Sequence, residues 1–145
     1  MFKHMLLPTD GSPLSKAAML NGIRFAKTIG AKVTGFCVTP LMHDFSYESK
    51  FGLELTEQAK AAAQAEAAQN LLMVERAAKE AGVACDTVQE KSDQPYEAIM
   101  EAAHAMGCDL IVMASHGRRG VGALLLGSET QKVLTHSRIP VLVVR

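Results

Sequence analysis

The sequence predicts an α/β domain, a parallel sheet with crossover helices, and three observations carry that expectation. Short β-leaning apolar runs alternate with longer segments of helical period. The runs DLIVMA, Asp109 to Ala114, and PVLVV, Pro140 to Val144, are almost continuously apolar, as strands covered on both faces are. Gly30, Gly82 and Gly107 follow the helical segments, where a helix commonly ends on a left-handed residue.

The first strand runs from Lys3 to Pro8. Ser12 and Pro13 then supply an N-cap and a first-turn proline for a helix whose inward stripe reads Leu14, Ala18, Asn21, Phe25 and Ile29. The second strand is Lys32 to Thr39. Leu53 to Ala81, rich in Ala, Glu, Gln and Lys, makes a long helix of high propensity. Its Ala-rich faces hold no sustained heptad, so it is read as lying close against the sheet, with a coiled coil as the alternative. Val83 to Glu90 forms the third strand. Pro95 opens a helix expected to turn Tyr96, Ile99, Met100 and Ala103 inward. Asp109 to Ala114 is the fourth strand, a last helix runs from about Ser128 to His136, and Pro140 to Val144 is the fifth strand. One stretch is irregular: PLMHDFSYESKFGL, residues 40–53, is too apolar for a linker and is either a lid or a cover for the sheet edge. No repeat or composition break divides the chain, so residues 1–145 read as one domain.

Hydrophobic residues make up 48% of the chain and charged residues 21%, with 15 basic against 15 acidic, the balance of a globular protein rather than a nucleic-acid coat. Aromatics at 5%, without Trp, leave little to stack on unpaired bases. The opening MFKHMLLPTD is broken by Lys3 and His4 and stops at Pro8, short of a signal core or a span, so a cytoplasmic protein without a membrane partner is expected. Cys37, Cys85 and Cys108 are widely spaced and read as buried thiols. The five histidines show no paired ligand spacing, which argues against a structural transition metal.

Open α/β sheets bind ligands beyond the carboxyl ends of their strands, where the winding direction reverses. Two such ends stand out: Pro8-Thr9-Asp10-Gly11-Ser12 after the first strand, and Ala114-Ser115-His116-Gly117 after the fourth. If these strands are neighbours, Asp10 lies on one wall of a crevice and the run MASHGRRGVGALLLGSE on the other. The segment GALLLGS has the glycine spacing of a Walker loop but no Lys before its Ser. Gly120-Val121-Gly122 begins a dinucleotide fingerprint but meets Leu125 at its third glycine position. What remains is physical: Gly117 permits close backbone approach, and Gly127-Ser128 places amides at a helix start, where an anion is favoured. The competing reading is that Ser128-Glu129-Thr130-Gln131 is a capping box that satisfies the same amides.

A helix terminus contributes only ~0.3 to 2 kcal/mol to an anion, whereas micromolar affinity needs roughly 8 kcal/mol. The ligand must therefore also bury an apolar body, against residues such as Val38 and Met113, which favours a nucleotide over free phosphate. Asp10, Ser115 and His116 are the residue types of a hydrolase triad, but no G-x-S-x-G surrounds Ser115, and His116 is expected to point away from it. For phosphoryl transfer, Asp10 could hold Mg²⁺ indirectly, through phosphate and water. Arg118 or Arg119 either clamps the phosphates or stands in a solvated turn. No base is evident, so no catalytic residue is assigned and hydrolysis is expected to be slow or absent. The closing strand, Val141 to Val144, leaves an open sheet edge that a homodimer would cover.

Three segments, LLPTDGS, DLIVMASHGRRGVGALLLGSETQKVL and HSRIPVLVVR, together resemble the universal stress protein family over essentially the whole chain. The resemblance implies a five-stranded parallel sheet in the order 3-2-1-4-5 with helices on both faces, of the adenine nucleotide alpha hydrolase-like type. The nucleotide-binding branch carries G-x-x-G, nine residues, then G-S or G-T. Here that pattern falls on Ala114 to Gly117, nine residues, and Gly127-Ser128, with Ala114 in place of the first glycine. By this resemblance Pro8, Thr9 and Asp10 hold the base and ribose side and Val38 the adenine. Gly117, Gly127, Ser128 and Thr130 hold the phosphates, and Met113, Ala114, His116 and Glu129 complete the wall. The expectation is a cytoplasmic homodimer that binds ATP, with or without Mg²⁺, between strands one and four and acts as a nucleotide-responsive regulator. The alternatives are a member that binds no nucleotide and works through protein contacts, and a slow ATPase.

Overall fold

The computed structural model describes residues 1–41, 50–117 and 125–145. Five strands, β1 (His4–Pro8), β2 (Lys32–Thr39), β3 (Cys85–Lys91), β4 (Leu110–Ala114) and β5 (Val141–Val144), form one sheet in the order β3-β2-β1-β4-β5. Every pairing is parallel, so each connection must cross over. Four helices make the crossings: α1 (Pro13–Ile29), α2 (Lys50–Ala81), α3 (Pro95–Ala105) and α4 (Ser128–His136). The winding reverses between the central strand β1 and its neighbour β4.

Strand alternation sorts the core into two layers. Met5, Leu7, Val33, Leu110 and Val112 face α1 and α2, where they meet Met19, Ile23, Ala26, Val74 and Ala78. Leu6, Phe36, Ile111 and Met113 face the other way, against Ala98, Ile99, Ala102 and Ala103 of α3 and Val133 of α4. All five residues of β4 are buried, as its sequence requires.

Four expectations change. The inward stripe of α1 is Ser15, Ala18, Met19, Gly22, Ile23 and Ala26, while Asn21 and Ile29 are exposed. The helix turns its small residues inward because it lies close on the sheet: a Cβ on Gly22 would meet Leu7 Cδ2 at 2.6 Å. In α3 the buried residues are Ala98, Ile99, Ala102 and Ala103, with Tyr96 and Met100 only half-buried. Residues 50–53 belong to α2 rather than to an irregular loop, and residues 42–49 of the expected lid lie outside the described residues. Finally, β5 is not covered on both faces: Leu142 is 42% exposed, while Val144 packs against the core layer of α1 and α2.

The long α2 lies on the sheet, burying Ala67, Asn70, Leu71, Val74 and Ala78 at helical spacing. Contact is close because β2 offers Gly35, where a Cβ would stand 2.9 Å from Val74 Cγ1. The two edges of the sheet differ in chemistry. β3 carries Asp86, Glu90 and Lys91, whereas β5 is VLVV. No helix among the described residues is long and apolar enough to cross a membrane.

Candidate functional site

The carboxyl ends of β1, β2, β3 and β4 open on one crevice of about 740 Å³. Its first wall is the turn after β1. Thr9 N donates to Phe36 O at 2.8 Å, which carries the β1–β2 ladder one residue past the strand. Gly11 then takes φ +78°, a left-handed conformation natural to glycine. Ser12 N donates to Asp10 Oδ1 at 2.9 Å, so the turn holds its own carboxylate. Ser12 in turn caps α1, its Oγ accepting from Ser15 N at 3.2 Å.

The opposite wall comes from β4 and α4. Gly127 N donates to Ser115 O at 2.7 Å, which fastens the start of α4 to the end of β4. A second tie lies beneath it, where buried Thr130 Oγ1 donates to Ala114 O at 2.9 Å. Backbone leaves little room at this junction: a Cβ on Gly127 would stand 3.2 Å from both His116 Cα and Ser115 O.

Two expectations about this wall are overturned. The capping box does not form. Gly127 occupies the N-cap position (φ −60°, ψ 150°), Ser128 is already helical, and Gln131 Nε2 donates instead to Leu126 O at 3.2 Å. The tie from Gly127 N to Ser115 O fixes this phase, so no described side chain takes the first-turn amides of α4. Nor does His116 point away from Ser115, since Ser115 Oγ and His116 Nδ1 are 2.7 Å apart. Ser115 is nonetheless buried, 1% exposed and off the crevice wall, so the pair presents no accessible nucleophile.

Pro8, Thr9, Asp10, Val38, Met113, Ala114, His116, Gly117, Gly127, Ser128, Glu129 and Thr130 all line this one crevice. Arg118 and Arg119 lie outside the described residues. Sequence reasoning missed Asp93 and Pro95, which line the crevice from the end of β3 and the start of α3. The signal was present in SDQP, a turn before a helix-opening proline, had the strand-end rule been applied to the third strand as well. Apolar Phe36, Val38, Ile99 and Met113 form the floor, and the open turn of α4 forms one end. That pairing of surfaces suits an amphipathic anion with an apolar body. No group of three or more metal-ligating side chains gathers among the described residues.

A doubly wound parallel sheet with a crevice at its reversal point defines an open α/β domain. The chain belongs to the universal stress protein family, which it matches over residues 1–145. It is 33% identical to a universal stress protein of Thermus aquaticus, each covered in full. It is 31% identical to universal stress protein MJ0531 of Methanocaldococcus jannaschii, over all of this chain and 83% of that protein. Among solved structures, MJ0577 of the same organism superposes with a TM-score of 0.81 at 28% identity, covering 99% of this chain and 96% of that one. A universal stress protein in complex with cAMP shares the fold at a TM-score of 0.72 and 23% identity, covering 99% and 97% of the two chains. One from Archaeoglobus fulgidus in complex with dAMP does so at 0.62 and 14%, covering 100% and 98%.

Proposed function

We propose that the crevice binds an adenine nucleotide, ATP in the first place, and that the protein acts as a nucleotide-responsive regulator. The observation that carries this is the first turn of α4, whose amides no described side chain takes, standing at one end of a cavity of about 740 Å³ with an apolar floor. In this reading the base packs on Val38 and Met113, beside Pro8 and Thr9, with Asp10 toward the ribose. Gly117, Gly127, Ser128 and Thr130 surround the phosphates, with Ala114, His116 and Glu129 beside them. Relatives of the same fold in complex with cAMP and dAMP support the adenine nucleotide class. Asp10 fits an indirect role toward Mg²⁺, because one of its oxygens is already committed to Ser12 N. With Ser115 buried, turnover is slow or absent, and the protein works in the cytoplasm as a homodimer paired through β5. A second reading, protein contacts without nucleotide, is favoured by one observation: Ala114 puts a methyl group on the crevice wall where the family's pattern has glycine.

Calorimetric titration with ATP and AMP separates these readings. The wild-type protein is expected to bind ATP in the presence of Mg²⁺, and Gly127→Leu, which drives a side chain into the backbone of residues 115 and 116, is expected to abolish binding. Absence of both binding heat and thermal shift at millimolar nucleotide would leave the protein-contact reading standing. Multiple-turnover phosphate release that Asp10→Ala stops would instead make the protein an ATPase.

A further inference from the structure

Glu129 belongs to the crevice-facing first turn of α4, yet its carboxylate reaches across to another helix. Glu129 Oε2 accepts from Tyr96 N at 2.9 Å, and Oε1 lies 3.4 Å from Lys132 Nζ. Tyr96 is the second residue of α3, whose own cap residue, Gln94, makes no side-chain cap bond. Glu129 therefore satisfies an amide that α3 leaves open. One carboxylate thus joins the amino-terminal turns of two helices that both line the crevice. Asp10 and Asp93 line the same cavity, and among the described residues no Lys or Arg does. Negative charge fixed between the two helix starts opposes each further negative charge on a ligand seated at α4. Lys132 offsets it only in part, because that pair is solvent-exposed and screened.

We propose that Glu129 is a positioning and charge-specificity residue of the crevice, resting on the nucleotide reading above. Its bond to Tyr96 N holds α3 against α4, and its charge lowers the preference for polyphosphate over monophosphate nucleotides. The test is calorimetric titration of wild type, Glu129→Gln and Glu129→Ala with AMP and ATP, without divalent cations, at low and high salt, beside thermal unfolding. Gln keeps an acceptor for Tyr96 N and removes the charge. Glu129→Gln is expected to unfold with the wild type while its ATP-to-AMP affinity ratio rises about three- to tenfold at low salt, the gain shrinking at high salt. Glu129→Ala, lacking the bond as well, is expected to unfold at lower temperature and bind AMP more weakly. An unchanged ratio in Glu129→Gln, with both nucleotides bound, overturns the charge role. A Glu129→Ala variant that matches wild type in midpoint and AMP affinity overturns the positioning role. Failure of the wild type to bind either nucleotide sinks the nucleotide reading and this proposal together.

Discussion

The Asp10 carboxylate stands in the space that a side chain at Gly117 would need: a Cβ there would come within 2.5 Å of Asp10 Oδ2. The two walls of the crevice touch at this point, one from the turn after β1 and one from the chain leaving β4. Gly117→Ala must therefore displace Asp10, and it is expected to weaken nucleotide binding about tenfold while leaving the unfolding midpoint near that of wild type. In an Asp10→Ala background the same substitution should cost much less, because the clash is gone. Equal losses in both backgrounds, read by calorimetry, would show that the contact does not govern affinity.

A second close approach sits under α1. Gly22→Ala places a methyl group 2.6 Å from Leu7 Cδ2, and a packed core offers little room to yield. Destabilisation of about 1–3 kcal/mol is expected in urea unfolding. Combined with Leu7→Ala, the loss should be less than additive.

Acid should destabilise the fold from the end of the sheet opposite the crevice. His4 is buried, with Nε2 2.7 Å from Thr34 Oγ1, and burial first, then the charge of Lys32, holds its pKa below the ordinary 6.5. The unfolded chain thus binds the proton more readily than the folded one. The stability from neutral His4 is fully present above pH 6.5 and is lost as pH falls from 6.5 through the depressed folded value. Midpoints measured from pH 8 down to pH 5 should fall, and His4→Gln, which cannot titrate, should flatten that decline.

Leu142→Glu tests the pairing of copies through β5. Leu142 is 42% exposed on a strand without charge, so a carboxylate there should yield a monomer with unchanged circular dichroism. Sedimentation that gives the same mass for variant and wild type would remove β5 from the proposed interface.

The strands were legible because short apolar runs such as LIVMA stand between turn residues, too short for a helix, whereas their order in the sheet was implied only by the family resemblance. The crevice walls were legible for a related reason, since strand ends at a reversal are where turns such as PTDG must lie. The inward face of α1 was not. Periodicity rewards large apolar residues, while a helix pressed on the sheet buries Ala18, Gly22 and Ala26 and leaves Ile29 outside. The bounds of α4 were legible but its cap was not: the capping-box alternative puts the N-cap at Ser128, whereas a tertiary bond, Gly127 N to Ser115 O, sets it at Gly127. The partner of Glu129 was not legible either, since Tyr96 N is brought near only by the packing of α3 on α4.

The unlike edges of the sheet set a limit on growth. A contact that joins one β5 to its equivalent in a second copy uses up both of those edges at once. What then faces outward at either end is β3, bearing Asp86, Glu90 and Lys91. Charges of this kind make a poor template for a further strand. An assembly built that way would end with the second copy.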